Sequence, residues 1–352
     1  MKLNTRKWLF SCLGLILVLV TVLSVTVYII DPFFQFRIKD NSYMLNERFV
    51  GPGLIKNYDY DTLIIGSSMT QNFNMDVFRK ELGVKPLHIG IGGIRATEEK
   101  ELLDIAYETG KAKKYFICAE MHLFTADSKE SRIPYYLINE DFLSRCRYFL
   151  NYEAWFRYMP IDVAFVILDK LGIKQPEKFV YGKSIDRLGN WSLDYEFGQD
   201  VVLKNYKSGA YGVSNLEKDD LYNKMTSRID QYFDHLQLDA GKHIFFFPPY
   251  SMLYWADHTD EIVDALLYGK KYFVEKALKK GVTVYDFQSV DFTLDLDNYK
   301  DTTHYKPENN DYMTRCFATG EHALTIENYA EYQNKLLKMR NDFKQEYKEL
   351  FE

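Results

Sequence analysis

The chain has 352 residues, of which 47% are hydrophobic and 27% charged, so it carries enough apolar sequence for a sizeable core and is not mainly disordered. Its length suits one large domain, or two small ones plus a targeting segment. A total of 44 Lys and Arg against 50 Asp and Glu gives a formal charge of −6, which excludes a protein whose main partner is nucleic acid.

The first predicted element is a transmembrane helix. Residues 8–30 form a run of 23 residues without a charge, long enough to cross the hydrocarbon layer of about 30 Å as a helix. The cations that precede the run are Lys2, Arg6 and Lys7. Because no acid accompanies them, the positive-inside rule predicts residues 1–7 in the cytoplasm and 31–352 outside the membrane. The alternative is a cleaved signal peptide, although no clear cleavage site follows the run.

Beyond this helix, short apolar runs alternate with helical patterns. The runs typical of strands buried on both faces are 62–65, 86–89, 115–119, 244–247 and 282–287. The helical patterns occupy 96–110, 221–241, 258–281 and 327–351. This alternation predicts an α/β fold with a parallel sheet flanked by helices.

A long aromatic stretch interrupts the alternation at about 125–217. It fits either an insertion over the edge or mouth of the sheet or an aromatic-rich helical layer that packs on the sheet. The sequence leaves both interpretations open.

Ligands of open α/β sheets bind beyond the carboxyl ends of the strands, and the first such position in this chain carries serines. Gly66-Ser67-Ser68-Met69-Thr70 follows the first predicted strand, at a strand-to-helix turn that exposes a hydroxyl and points N–H groups at an anion. A nucleophilic serine suits this place. The alternative is that Ser67, Ser68 and Thr70 only cap the turn and the next helix.

The second motif, Gly90-Ile91-Gly92-Gly93, follows the second predicted strand. Its backbone N–H groups can approach a substrate oxygen and stabilise the oxyanion of acyl transfer, although glycines also serve tight turns. No Lys follows in the manner of a P-loop, which argues against a nucleotide site.

The third motif, Asp301-Thr302-Thr303-His304, lies near the C-terminus. An Asp three residues before a His can orient the imidazole, so that its other nitrogen accepts the proton of a serine hydroxyl. A surface turn is the alternative for this motif taken alone. The three motifs in this order, the first two each directly after a strand, together predict a serine acyl-transfer site.

With GSSM, GIGG and DTTH, the sequence resembles the SGNH/GDSL hydrolase superfamily over about 60–125 and 242–317. The resemblance implies a flavodoxin-like three-layer α/β fold and a serine esterase or acyltransferase. It also implies that Ser68 is the nucleophile, with His304 as the base and Asp301 as its partner. The Ser68 N–H and Gly93 would form two parts of the oxyanion hole.

One block of the family pattern is missing. The family has an Asn after the third strand, where this chain reads Ala119-Glu120-Met121-His122-Leu123. His122 lies nearest that place and is our candidate for the third oxyanion donor. Glu120 fits either the cleft or a structural role at the strand end.

Three features are similar to those of a membrane-tethered bacterial branch of this superfamily. They are the predicted transmembrane helix, the adjacent Asp31-Pro32-Phe33-Phe34 and the exact sequence of the GSSM motif. That branch includes alginate O-acetylation proteins and the teichoic acid D-alanylation protein. The similarity implies transfer or removal of an acyl group, O-acetyl above all, on an envelope polysaccharide, with a multi-span membrane acyltransferase as candidate donor. The opposing hypothesis is a non-catalytic envelope scaffold or glycan-binding protein with a degenerate SGNH fold.

Residues after the fourth strand complete the predicted site. Tyr250 and Ser251 follow that strand, and the Trp255 ring could stack on a sugar, so these three are the candidate substrate-binding residues. Core packing is the alternative for each aromatic. The seven His residues show no paired spacing of the zinc type, so we predict no metal and no other cofactor.

Overall fold

The structure, a computed structural model, describes the chain in five segments. These are residues 5–38, 46–125, 130–173, 196–207 and 221–351. The chain divides into two compact units. Unit 1 comprises Met1–Tyr58 and Arg132–Arg187, and unit 2 comprises Asp59–Ser131 and Leu188–Glu352.

Helices separate the successive strands along the chain. The strands are β1 Thr62–Gly66, β2 Pro86–Gly90, β3 Lys114–Cys118, β4 His243–Phe247 and β5 Thr283–Asp286. The α-helices are α1 Thr5–Ile30, α2 Glu47–Asn57, α3 Met75–Leu82, α4 Ala96–Thr109, α5 His122–Thr125, α6 Tyr135–Ile138, α7 Phe142–Phe149, α8 Met159–Lys170, α9 Gln199–Lys207, α10 Leu221–His235, α11 Met252–Asp257, α12 Asp260–Lys279, α13 Pro307–Thr319 and α14 Tyr329–Glu346. A π-helix at Ala154–Tyr158 directly precedes α8, and 3-10 turns lie at Ser68–Thr70, Asp291–Leu294, Leu296–Asn298 and Lys348–Leu350.

Unit 2 is built on a five-stranded sheet with the order β2-β1-β3-β4-β5, in which every pair of neighbours is parallel. This is the strand order of flavodoxin-like doubly wound sheets. The register places Ile64 of β1 between His88 of β2 and Phe116 of β3. The predicted α/β class with a parallel sheet is confirmed, and each predicted strand is found with ends that shift by one residue.

Helices cover both faces of the sheet. Neighbouring residues of a strand point to opposite sides, and β4 shows the consequence. The Phe245 ring lies 5.0 Å from Phe273 of α12, whereas the Phe246 ring lies 5.4 Å from Phe317 of α13. Both faces are therefore buried, which explains why β1 and β4 read as continuous apolar runs rather than alternating ones.

The long stretch at 125–217 holds no strand in its described part, which forms α6 to α9 and the π-helix. Residues 126–129, 174–195 and 208–217 of this stretch lie outside the described segments. The helix predicted at the C-terminus ends earlier than expected, because α14 stops at Glu346 and the 3-10 turn follows.

Unit 1 contains α1, which is 26 residues long with a mean hydropathy of 2.8 in its most apolar window. It is therefore long and apolar enough to cross a membrane. Its side chains are mostly exposed, and Val27 is the one that is fully buried. The predicted apolar helix is present, and its orientation across a membrane stays a prediction.

A buried carboxylate lies at the turn that follows α1. Asp31 has a φ of 45°, a left-handed conformation that Asp tolerates better than most residues, and its N–H donates to the oxygen of Val27 at 2.7 Å. Its carboxylate accepts hydrogen bonds from the N–H groups of residues 35–37 and from the Tyr148 hydroxyl, the last at 2.8 Å. Burial raises the pKa of Asp31, and these hydrogen bonds oppose the rise. Asp31 thus fixes the end of α1 to the segment after it and to α7.

A buried imidazole follows α11 in unit 2. His258 is 6% exposed, and its backbone oxygen accepts a hydrogen bond from Nη2 of Arg340 at 2.8 Å. Burial lowers the pKa of His258 to about 4, with Asp257 opposing the shift and the Arg340 charge adding to it. Below a pH of about 6.5, His258 therefore binds a proton in the unfolded chain but stays neutral in the folded protein. The free energy of unfolding consequently falls as the pH falls from about 6.5 to about 4.

We expect the free energy of unfolding to fall, between about pH 7.5 and 4.5, by about 2.5 kcal/mol more in the unmodified protein than in His258→Gln. Urea titrations at the two pH values measure the difference. His235→Gln, at an exposed position of α10, is the control and should keep the dependence of the unmodified protein. If His258→Gln shows the same dependence as well, the His258 imidazole is not held neutral by the fold.

Candidate active site

The serine motif after β1 forms a tight turn in which its residues have different roles. Ser67 is buried and caps the 3-10 turn, since its Oγ accepts the Met69 N–H at 3.1 Å. Its backbone oxygen accepts both the N–H and the hydroxyl of Thr70. Ser68 is half-buried and directs its hydroxyl at His304. The capping interpretation therefore holds for Ser67, the Thr70 hydroxyl bonds within the turn, and Ser68 presents its hydroxyl to His304.

Glycines allow this turn to lie directly on the strand ends. A Cβ on Gly66 would lie 2.5 Å from Cβ of Cys118 and 2.6 Å from the methyl group of Thr70. A Cβ on Gly90 would lie 2.7 Å from Nε2 of His88, and this nitrogen lies 3.1 Å from Oγ1 of Thr70. The paired ends of β1 and β2 therefore need residues without a side chain.

The third motif reaches the serine from the far end of the chain. Nε2 of His304 lies 2.9 Å from Oγ of Ser68, across 236 residues of sequence. Nδ1 of His304 lies 2.8 Å from Oδ2 and 3.0 Å from Oδ1 of Asp301. This is the arrangement of a nucleophile, a general base and the carboxylate that orients the base.

The Asp301 carboxylate is held within its own turn. Oδ1 accepts the N–H groups of Thr303 at 2.9 Å and of His304 at 2.8 Å, and the side chain is 2% exposed. Burial raises the pKa of Asp301, but the hydrogen bond and charge of His304, together with the two N–H groups, bring it below its usual value. Asp301 is therefore a carboxylate at neutral pH and can stabilise the imidazolium that forms when His304 takes a proton.

Two buried contacts that the sequence did not indicate position the reacting groups. The Tyr305 hydroxyl donates to the oxygen of Met69 at 2.7 Å, and so ties the residue after the histidine to the residue after the serine. Ser251 donates its N–H at 3.1 Å and its hydroxyl at 2.8 Å to the oxygen of Thr302, which lies in the turn between the aspartate and the histidine. A lone Tyr or Ser in a sequence does not name its partner, so sequence patterns could not find these bonds.

The predicted oxyanion loop begins where β2 ends, beside β1. The Ile91 N–H donates to the oxygen of Gly66 at 2.9 Å, and the Ile94 N–H donates to the oxygen of Ile91 at 3.0 Å. Gly93 is exposed and has a φ of 56°, which is why this turn needs glycine there. Gly93 and Ser68 thus follow neighbouring strands at one edge of the sheet.

His122, the candidate for the third oxyanion donor, begins α5. Its side chain lies outside the described part of the structure, so its role stays a prediction.

The residues expected to bind substrate are buried instead. The Tyr250 hydroxyl donates to Oε2 of Glu120 at 2.9 Å, and both side chains are buried. Of the two roles open for Glu120, this contact fits the structural role at the strand end. Trp255 is 1% exposed, and its backbone oxygen accepts a hydrogen bond from Nε of Arg340, so its ring belongs to the core and is not available to stack on a sugar. Ser251 is fully buried and positions Thr302.

Among the described residues, one group could supply three metal ligands. Cys316, Glu321 and His322 have ligand atoms within 4.8 Å of one another. Nε2 of His322 lies 2.7 Å from the Tyr312 hydroxyl, and Nδ1 lies 3.3 Å from the Tyr332 hydroxyl. Both ring nitrogens are therefore already in hydrogen-bonding contacts, and no member of this group belongs to the Ser68 site.

We expect Tyr305→Phe to slow the reaction of Ser68 with a fluorophosphonate by about tenfold, because the Met69 carbonyl loses the bond that helps to place the serine. The free energy of unfolding should fall by only about 1 kcal/mol. Tyr285→Phe is the matched control, since its buried hydroxyl donates to the oxygen of Phe317 at 3.4 Å, away from the serine turn. Labelling rates from intact-mass measurements compare the two. Equal rates would show that the Met69 contact does not determine the position of the serine.

Neither a protein-family model nor a curated protein matches this chain. The contacts that join Ser68, His304 and Asp301 are therefore the observation on which a function can be based.

Proposed function

We propose that this chain is a membrane-tethered serine acyltransferase or esterase of the SGNH type that acts on acyl groups of cell-envelope polysaccharide. The observation that carries the proposal is the pair of contacts from Ser68 to His304, at 2.9 Å, and from His304 to Asp301, at 2.8 Å. A scaffold or glycan-binding protein has no need of a serine hydroxyl directed at a histidine that a buried carboxylate orients.

In the first half of the reaction, Nε2 of His304 takes the proton of the Ser68 hydroxyl while Oγ attacks the carbonyl carbon of the acyl donor. The tetrahedral intermediate expels the leaving oxygen of the donor, which takes the proton from His304, and the acyl group stays on Ser68. Asp301 remains a carboxylate throughout and stabilises the imidazolium.

In the second half, an acceptor hydroxyl gives its proton to His304 and attacks the carbonyl carbon of the acyl-serine. Collapse of the second intermediate breaks the bond to Oγ, which recovers the proton from His304. A polysaccharide hydroxyl as acceptor gives acyl transfer, and water gives hydrolysis. The oxyanion of both intermediates would be held by the N–H groups of Ser68 and Gly93 and by His122 as third donor, each worth about 3 kcal/mol.

The topology supports a ligand site at this place. In the order β2-β1-β3-β4-β5 the chain reverses direction across the sheet between β1 and β3, and ligands bind in the crevice at such a switch point. Ser68 lies in the turn after β1, and Glu120 in the turn after β3. The blocks GSSM and GIGG begin at the last residue of β1 and of β2, which supports the SGNH assignment.

The envelope substrate is proposed from the membrane helix and the resemblance together. The cations before the uncharged run at 8–30 favour an orientation that places the serine site outside the cytoplasm, where envelope polysaccharide is found. A multi-span membrane acyltransferase could supply the acyl group from the membrane side. Because a fold alone does not determine a substrate, O-acetyl groups are proposed by analogy.

We expect the full-length protein to form a single covalent adduct with a serine-directed fluorophosphonate, located at Ser68 by peptide mapping after intact-mass analysis. Ser68→Ala should abolish the adduct, and His304→Ala should slow its formation at least about a hundredfold. Ser67→Ala is the matched control, since it removes the neighbouring hydroxyl and a cap but leaves the nucleophile. A folded protein that forms no adduct would refute an activated serine.

A second experiment separates catalysis from scaffolding in cells. We expect Ser68→Ala with His304→Ala to lower the ester-linked acyl content of the envelope polysaccharide as much as deletion of the gene does. Base-released acetate measures that content, and immunoblotting confirms that the variant reaches the membrane in normal amount. Acylation that survives the double substitution but not the deletion would favour the scaffold hypothesis.

A further inference from the structure

A row of exposed apolar side chains runs along α8 of unit 1. Pro160, Ala164, Ile167 and Leu171, the last directly after the helix, lie four, three and four residues apart. This spacing places them on one side of a helix. All four are exposed, with Ile167 at 51% and Leu171 at 67%. We refer to this row as the α8 face.

The α8 face is unlike the outer face of a helix in a water-soluble domain, which is polar. The two acidic residues of α8, Asp162 and Asp169, lie on the opposite side of the helix by their spacing, and Asp162 is buried. Phe156 of the preceding π-helix is 73% exposed and adds to the apolar surface of this segment. Exposed apolar surface of this kind marks contact with a membrane or another protein.

The packing of α1 indicates the depth at which α8 lies. Within unit 1, α1 contacts α7, the π-helix and α8. The partly or fully covered side chains of α1 are concentrated in its C-terminal half, at Val20, Leu23, Ser24, Thr26, Val27 and Ile30. Residues 8–30 rise about 35 Å as a helix, little more than the hydrocarbon layer of about 30 Å. The elements that cover the C-terminal half of α1 therefore reach into, or lie at the boundary of, the same layer.

We infer that the α8 face is inserted in the membrane, at the leaflet where α1 ends, with Ile167 and Leu171 among the lipid acyl chains. An element packed beside a spanning helix at this depth meets lipid on its free side, and an apolar helix face is what lipid requires there. The occupant is lipid because α8 contacts α1, whose apolar side chains such as Leu17 are exposed as well. A second copy of the chain or a multi-span protein would have to cover both surfaces. This inference is independent of the catalytic proposal.

Spin-label accessibility in nanodiscs of phosphatidylethanolamine and phosphatidylglycerol tests the inference on the full-length chain. The background carries Cys12→Ala and Cys146→Ala, since Cys118 and Cys316 are buried and do not react. Single labels are placed by Ile167→Cys and Leu171→Cys. The aqueous control is Tyr268→Cys, at a 48% exposed position of unit 2, and the membrane control is Leu17→Cys in α1.

The measurement at each label is the ratio of its collision rate with oxygen to its collision rate with a water-soluble nickel chelate. We expect this ratio to be several-fold higher at 167 and 171 than at 268, and to approach the ratio at 17. A ratio equal to that at 268 would overturn the inference, because the face would then lie in water. Protection from both oxygen and nickel would also overturn it, since a second copy or another protein would cover the face. The four sites are exposed, so the substitutions leave the packed interior intact.

Discussion

The parallel alignment of β1, β2 and β3 is the constraint on which the candidate site depends. Parallel neighbours end at one edge of a sheet, so the turn after β1 and the loop after β2 meet there, joined by the hydrogen bond from Ile91 to Gly66. His304 reaches this edge across 236 residues. The entropy cost of closing such a loop grows only slowly with its length, and the apolar core on both sides of the sheet provides the favourable free energy.

Burial of apolar surface is non-directional, so the positions of the reacting atoms must come from polar contacts. Tyr305 fixes the serine turn through the Met69 carbonyl, and Ser251 fixes the histidine turn through the Thr302 carbonyl. Each such bond contributes only about 1 kcal/mol to stability, whereas a displacement of about 1 Å at a catalytic group can cost about a hundredfold in rate. Residues that never touch a substrate therefore determine whether this site can react.

The sequence predicted the strands well because β1 and β4 are covered on both faces, which leaves an unbroken apolar run. It also predicted which short motifs the sheet would bring together, since strand ends place Ser68 at a known edge. Tyr250 and Trp255 are buried, as the core-packing alternative expected, because proximity to a strand end does not determine which way a ring points. Tyr250 instead donates to the buried Glu120, and Trp255 packs in the core. Such choices depend on partners that are distant in sequence.

The end of α1 bears on whether this helix is an anchor or a cleaved signal. Val27 is fully buried, and the N–H of Asp31, in its left-handed turn, donates to the carbonyl oxygen of Val27. The Asp31 carboxylate accepts a hydrogen bond from the Tyr148 hydroxyl of α7. Loss of α1 would open a cavity at Val27 and leave the turn without its acceptor, at a cost of several kcal/mol. A signal peptide that is removed has no reason to be built into the core of the remaining unit. The packing therefore favours a retained helix, which on the membrane proposal made above keeps the exposed apolar side chains of α8 beside lipid.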